Sequence, residues 1–233
     1  MKLLRVGQKG QEKPAALDKD GKIRDISSHI SDLNPDHLNF ETISKLQSAD
    51  LASLPEISSS ERIGSCITKP GKFIAIGLNF SDHAAETGAE VPSEPITFMK
   101  ATSCINGPND DIEIVSGSKK LDWEVELGIV IGKHTKHISE AQSQDHILGY
   151  CLVNDISERE WQIEKMGQWV KGKSHDTYGP IGPYLVTKDE IADINNLKMS
   201  LDVNGKRMQT GNTNTMIFNV NVIVSYLSKF MSL

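Results

Sequence analysis

The ten residues from Asp122 to Ile131 constrain this chain more than any other stretch. Trp123, Val125 and Leu127 alternate with Asp122, Glu124 and Glu126, and the run closes in the unbroken apolar Ile129-Val130-Ile131. A period of two marks a strand whose faces differ. That period sends Glu124 and Glu126 to one face. The pattern predicts a strand that begins at a polar cavity and runs into a core. Two like charges held side by side need a cation, a proton or open water. The apolar flanks make open water the least suitable of the three. On spacing alone, a plain solvated strand face fits as well.

Other segments read as follows. Leu3 to Val6 is a strand, and Ala15-Ala16-Leu17, a polar turn and Ile23 form a hairpin. Spaced leucines and isoleucines between 34 and 54 predict two short helices. Pro55 and Ser58-Ser59-Ser60 mark a linker, so a small N-terminal domain is expected over 1–65 and a larger domain over 66–233. Phe73 to Ile76 is a strand. Ser81 to Gly88 is a short helix with Ser81 as its cap and Gly88 as its stop. Gly149 to Asn154 is a further strand, with Asp155 just past it. Ser157 and Glu160 have capping-box spacing and predict a helix to about Gly167. Asn204-Gly205 between Leu201-Asp202-Val203 and Lys206-Arg207-Met208 is the best hairpin signal. Ile223, Leu227 and Phe230 recur at helical spacing. Regular β-α-β alternation is absent, which favours a mainly β, α+β fold over a doubly wound sheet.

Composition narrows the function classes. With 25 Lys and Arg against 31 Asp and Glu, the net charge is -6, which gives no support to broad binding of nucleic acid. No stretch of about 18 apolar residues occurs, so no membrane span is expected, and the opening residues do not read as a leader. Cys66, Cys104 and Cys151 are odd in number and far apart, which points to a reducing, cytoplasmic setting.

Two constellations carry chemistry. If the fold brings Asp155 beside Glu124 and Glu126, three carboxylates make a hard oxygen site for Mg²⁺, Mn²⁺ or Ca²⁺. Taken alone, Asp155 is equally a turn residue. His83 and Glu86 sit three apart on the predicted helix, so the carboxylate can orient the imidazole as a base, or the two form a surface pair. Lys100, Lys171 and Lys173 are cations that can offset the carboxylates or meet a substrate acid; each reads equally as a solvated lysine.

These residues resemble the fumarylacetoacetate hydrolase family over about 60–233. The resemblance rests on Gly77-Leu78-Asn79-Phe80-Ser81-Asp82-His83-Ala84-Ala85-Glu86, Phe98-Met99-Lys100, Asp122-Trp123-Glu124-Val125-Glu126-Leu127, Val153-Asn154-Asp155-Ile156-Ser157-Glu158-Arg159, Lys171-Gly172-Lys173-Ser174 and Gly211-Asn212-Thr213. It implies a mixed β-sandwich or β-roll domain, preceded by a small N-terminal domain, and a homodimer. It implies Glu124, Glu126 and Asp155 as ligands of Mg²⁺ or Mn²⁺. His83, Glu86 and Lys173 are implied as catalytic residues, and Lys100 and Thr213 as substrate contacts. The implied reaction is hydrolysis of a C–C bond in an acylpyruvate or 2,4-diketo (sugar) acid. Lyase and isomerase activities of the same family are alternatives. The family continues with P-G-D and T-G-T-P segments that this chain lacks before its end at Leu233. Truncation is therefore expected, and a non-catalytic metal-binding or interaction remnant is the competing class.

Overall fold

Leu3 and Leu4 are neighbours in one strand and both are fully buried, so that strand is covered on both faces. The computed structural model describes residues 1–233, apart from the side chain of Thr87. In it, β1 (Lys2–Val6), β2 (Lys13–Leu17) and β3 (Ile23–Asp25) pair antiparallel in sequence. After helix α1 (Phe40–Gln47), β4 (Glu56–Ile57) joins β3 and β5 (Ile63–Gly64) joins β1. The stretch read as a linker is therefore partly strand.

β6 (Ile74–Gly77) and β7 (Ile96–Met99) make a separate antiparallel pair, with helix α2 (Ser81–Thr87) in the connection. β8 (Ile105–Asn106) and β9 (Leu121–Asp122) are short. They lead into β10 (Val125–Ile131), which pairs antiparallel with β11 (Ile147–Asn154). β12 (Ser157–Glu158) pairs with β9. A π-helix over Glu160–Glu164 and helix α3 (Val170–Lys173) follow. β13 (Gly179–Pro180) lies parallel to β8, and β14 (Leu185–Thr187) sits between β11 and β1. The main sheet thus has eight strands, seven in the order β10-β11-β14-β1-β2-β3-β4 with β5 also beside β1, and it joins residues from both sides of position 65.

β15 (Lys198–Val203) and β16 (Lys206–Asn212) form the hairpin expected at Asn204-Gly205. Both turn residues have positive φ, 52° and 77°, which a two-residue turn of this kind requires. Helix α4 (Val220–Ser228) starts where Asn219 accepts from the amides of Asn221 and Val222. Its Val220 and Val224 pack with Ile147 and Tyr150 on one face of the β10–β11 pair. On the other face, Val130, Leu148 and Val153 share a core with Leu3, Ile26, Leu33, Ile43 and Leu46. The strands that carry the carboxylates are held from both sides. This mixed fold of several sheets and few helices agrees with the expected class.

Two local expectations fail. Ser157 opens no helix: its hydroxyl donates to the Asp155 carbonyl (2.9 Å), and Ser157 and Glu158 are extended against β9. Arg159, not Ser157, precedes the helical turn. Ser81 does not cap α2 either; the cap position is Phe80, in extended conformation and bridged to Met216. The stop at Gly88 is as expected, with φ 66°.

Candidate active site

The β10–β11 register sets Val125 opposite Asn154 and Glu126 opposite Val153. One step further, the Asp155 amide donates to the Glu124 carbonyl at 2.8 Å. The Asn154 side chain accepts from the Glu124 amide at 3.2 Å. Strand pairing therefore brings Asp155 next to Glu124, with Glu126 on the same face of β10.

Three cations meet these carboxylates. Lys173, 2% exposed, donates to Glu124 Oε2 and Asp155 Oδ2, each at 2.7 Å. Lys100, 1% exposed, donates to Asp155 Oδ1 at 2.5 Å and also to the carbonyl of Lys173. Its ammonium lies behind Asp155 and is used within the protein. Arg159 reaches Glu124 Oε1 at 2.6 Å and Asp122 Oδ2 at 2.7 Å, and donates to Gln162 Oε1 at 3.0 Å. Lys173 comes from α3, which packs very tightly on the π-helix. A Cβ on Gly172 would sit 2.4 Å from the Glu158 carbonyl oxygen and 2.5 Å from the Gln162 nitrogen. No larger residue fits at that crossing without movement of backbone.

Glu126 differs from its neighbours. Among the described residues its carboxyl has no hydrogen bond and no ion pair. Burial, then the charges of Glu124 and Asp155, push it up to about 8. Burial also acts to raise Asp155, but the ammonium groups of Lys100 and Lys173 outweigh it and hold this carboxyl below its usual range.

All these groups open into one cleft of about 1540 Å³, which His83 and Glu86 also line. His83 Nδ1 and Glu86 Oε2 are 3.9 Å apart on the exposed side of α2. The residue before that segment is anchored firmly. Asn79 Nδ2 donates to the Phe218 carbonyl and Asn79 Oδ1 accepts from the Phe218 amide, both at 2.9 Å. Thr213 is placed elsewhere: it is buried, donates to the Ile194 carbonyl (2.7 Å) and accepts from the Leu197 amide (2.8 Å). The apolar side chains of Ile129, Ile131, Val224 and Leu227 also line the cleft.

The donor chemistry suits a hard divalent cation: three carboxylates gathered where β10 begins and β11 ends. Among the described residues, however, no group of three or more His, Cys, Asp or Glu is arranged around a single metal position. The reason is visible in the contacts: oxygens of Glu124 and Asp155 are turned to Lys173. A cation would have to take that ammonium's place. Arg159 and Asn79 had no role assigned from the sequence, although both lie inside the motifs quoted above. Their partners Asp122 and Phe218 are set by tertiary contact.

The description "Fumarylacetoacetate (FAA) hydrolase C-terminal" matches residues 72–233. A Burkholderia multivorans protein named only as a hydrolase is 56% identical over all 233 residues, which cover 83% of its length. The solved fumarylacetoacetate hydrolase of psychrophilic Exiguobacterium antarcticum is 30% identical, with a TM-score of 0.85 over 100% of this chain and 83% of that one. The 2-hydroxyhepta-2,4-diene-1,7-dioate isomerase of Mycobacterium marinum is 29% identical, with a TM-score of 0.73 and the same coverage. By fold, by motif and by similarity along all of its own residues, this chain belongs to the fumarylacetoacetate hydrolase family, a family of enzymes.

Proposed function

We propose that this protein hydrolyses a C–C bond in an acylpyruvate or 2,4-diketo acid with the help of Mg²⁺ or Mn²⁺. The observation that carries this reading is that Glu124 and Asp155 converge on Lys173 in one cleft that Glu126, His83 and Glu86 also line. Glu124, Glu126 and Asp155 would hold the metal, which supplies Lewis-acid polarisation of the α-keto acid end. Lys173, displaced from its carboxylates, offers its ammonium to the substrate carboxylate. Lys100 stays behind Asp155 and keeps that carboxyl ionised. His83, with Glu86 beside it, takes a proton from water as that water attacks the distal carbonyl carbon. The bond between the distal carbonyl carbon and its neighbour then breaks. Its electron pair goes to the pyruvate fragment, which takes up a proton, and the other product is a carboxylic acid.

The test is a melt titrated with Mn²⁺ and then oxalate, a mimic of the α-keto acid end. Native-state binding raises stability with the logarithm of ligand concentration once that exceeds the dissociation constant. A rise with Mn²⁺, a second with oxalate and release of pyruvate from acetylpyruvate are expected. Failure of all three refutes the proposal. The likeness to an isomerase favours a second reading, in which the same site moves a proton without cleavage. Conversion of a hydroxydienedioate without pyruvate release distinguishes it.

A further inference from the structure

β10 is the last strand of the eight-stranded sheet, so its outer edge has no strand partner in that sheet. Residues 124 and 126 direct their side chains to the cleft, and the backbone of Val125 between them faces that outer edge. One side chain meets it. Gln209 Oε1 accepts from the Val125 amide at 2.8 Å, and Gln209 Nε2 donates to the Val125 carbonyl at 3.4 Å. A primary amide has the donor and acceptor of a peptide group, so Gln209 stands in for one residue of a ninth strand.

The chain that follows Gln209 runs on to the other half of the site. Thr215 donates to Asp82 Oδ1 at 3.1 Å, the Ile217 amide donates to the Asn79 carbonyl at 2.8 Å, and Phe218 is bonded twice to the Asn79 side chain. A single stretch, 209–218, thus grips the strand of the two glutamates at one end and the segment leading to His83 at the other. We infer that Gln209 is a positioning residue: it fixes Glu124 and Glu126 through the Val125 backbone and sets them relative to the His83 segment. This rests on the metal-site reading given under Proposed function.

The test uses the full chain with Gln209→Met, which keeps the bulk and loses both hydrogen bonds, and Gln209→Glu, which keeps only the acceptor. Arg207→Ala serves as control, because Arg207 pairs with Asp202 on the exposed side of the same hairpin. Two quantities are read: exchange of the Val125 amide by NMR without metal, and the dissociation constant for Mn²⁺. Gln209→Met should speed Val125 exchange about fivefold or more, the equivalent of one lost hydrogen bond. It should also weaken Mn²⁺ binding about tenfold, as loss of a supporting partner does elsewhere. Gln209→Glu should keep Val125 exchange within about twofold of the parent, because its oxygen still accepts the amide. Arg207→Ala should leave both readings unchanged. Unchanged Val125 exchange in Gln209→Met overturns the inference, as does faster exchange with unaltered Mn²⁺ affinity. Absence of Mn²⁺ binding by the parent protein overturns the metal-site reading itself, and the inference with it.

Discussion

Lys173 bridges Glu124 and Asp155, with its ammonium 2.7 Å from an oxygen of each. The bridge is buried, so it is screened little by solvent. Removal of one partner leaves uncompensated charge, which costs about 3 kcal/mol in such settings. Lys173→Met should therefore lower the melting temperature in chelator by roughly 8 °C, given the usual sensitivity of chains of this size. Excess Mn²⁺ should restore part of that loss, since it replaces the ammonium between the same oxygens. A variant that melts with the parent in chelator would refute the bridge.

Glu126 supplies a pH dependence of opposite sense to an ordinary ion-paired carboxylate. Its folded carboxyl is pushed up to about 8 from a reference of 4.5. The folded chain therefore holds this proton more tightly than the unfolded chain. Its stabilisation is fully present below pH 4.5 and is lost as pH rises through about 8. In chelator, the melting temperature should fall between pH 6 and 9, and Glu126→Gln should show a flatter slope. Parallel slopes for the two proteins would contradict this environment for Glu126.

Gly172 tests the crossing of α3 with the π-helix. An alanine there must push apart backbone atoms now 2.4 and 2.5 Å from the new carbon. Overpacking of this kind costs about 1–3 kcal/mol. Gly172→Ala should lose stability on that scale and should lose turnover by a larger factor, because Lys173 moves with the backbone. Measured denaturant midpoints together with kcat separate the two effects. Unchanged values of both would show that the crossing relaxes freely.

His83 and Asn79 separate chemistry from scaffold. His83→Ala should bind Mn²⁺ like the parent but hydrolyse acetylpyruvate about a hundredfold or more slowly, the usual scale for loss of a general base. Full hydrolytic rate would remove His83 from the mechanism. Asn79→Ala instead loses two hydrogen bonds to Phe218 and should cost about 2 kcal/mol, seen as a lower denaturant midpoint.

Where side chains repeat with a regular period, the chain could be read directly. The alternation through Val125 and Leu127, the Asn204-Gly205 turn and the apolar spacing of α4 all describe local geometry, and the structure has them. The family motifs placed the carboxylates, and the register of β10 on β11 shows why Asp155 meets Glu124. What escaped were features fixed by distant partners. Ser157 has capping-box spacing, but its hydroxyl goes to the Asp155 carbonyl and Glu158 accepts the Lys120 and Glu160 amides instead. Lys100 reads from its neighbours either as a solvated lysine or as a counter-charge, because nothing beside it in sequence announces Asp155. Gln209 sits in an ordinary hairpin strand, and only the exposed edge of β10 gives its amide a purpose.

The place of β1 in the sheet sets an order of assembly. Lys2 and Leu3 pair with Val186 and Leu185, so β1 waits for a strand that lies far along the chain. Until β14 emerges, β1 has only β2 and β5 to pair with, and one of its edges stays partly open to other chains. Contacts this far apart in sequence slow folding and lengthen that exposure.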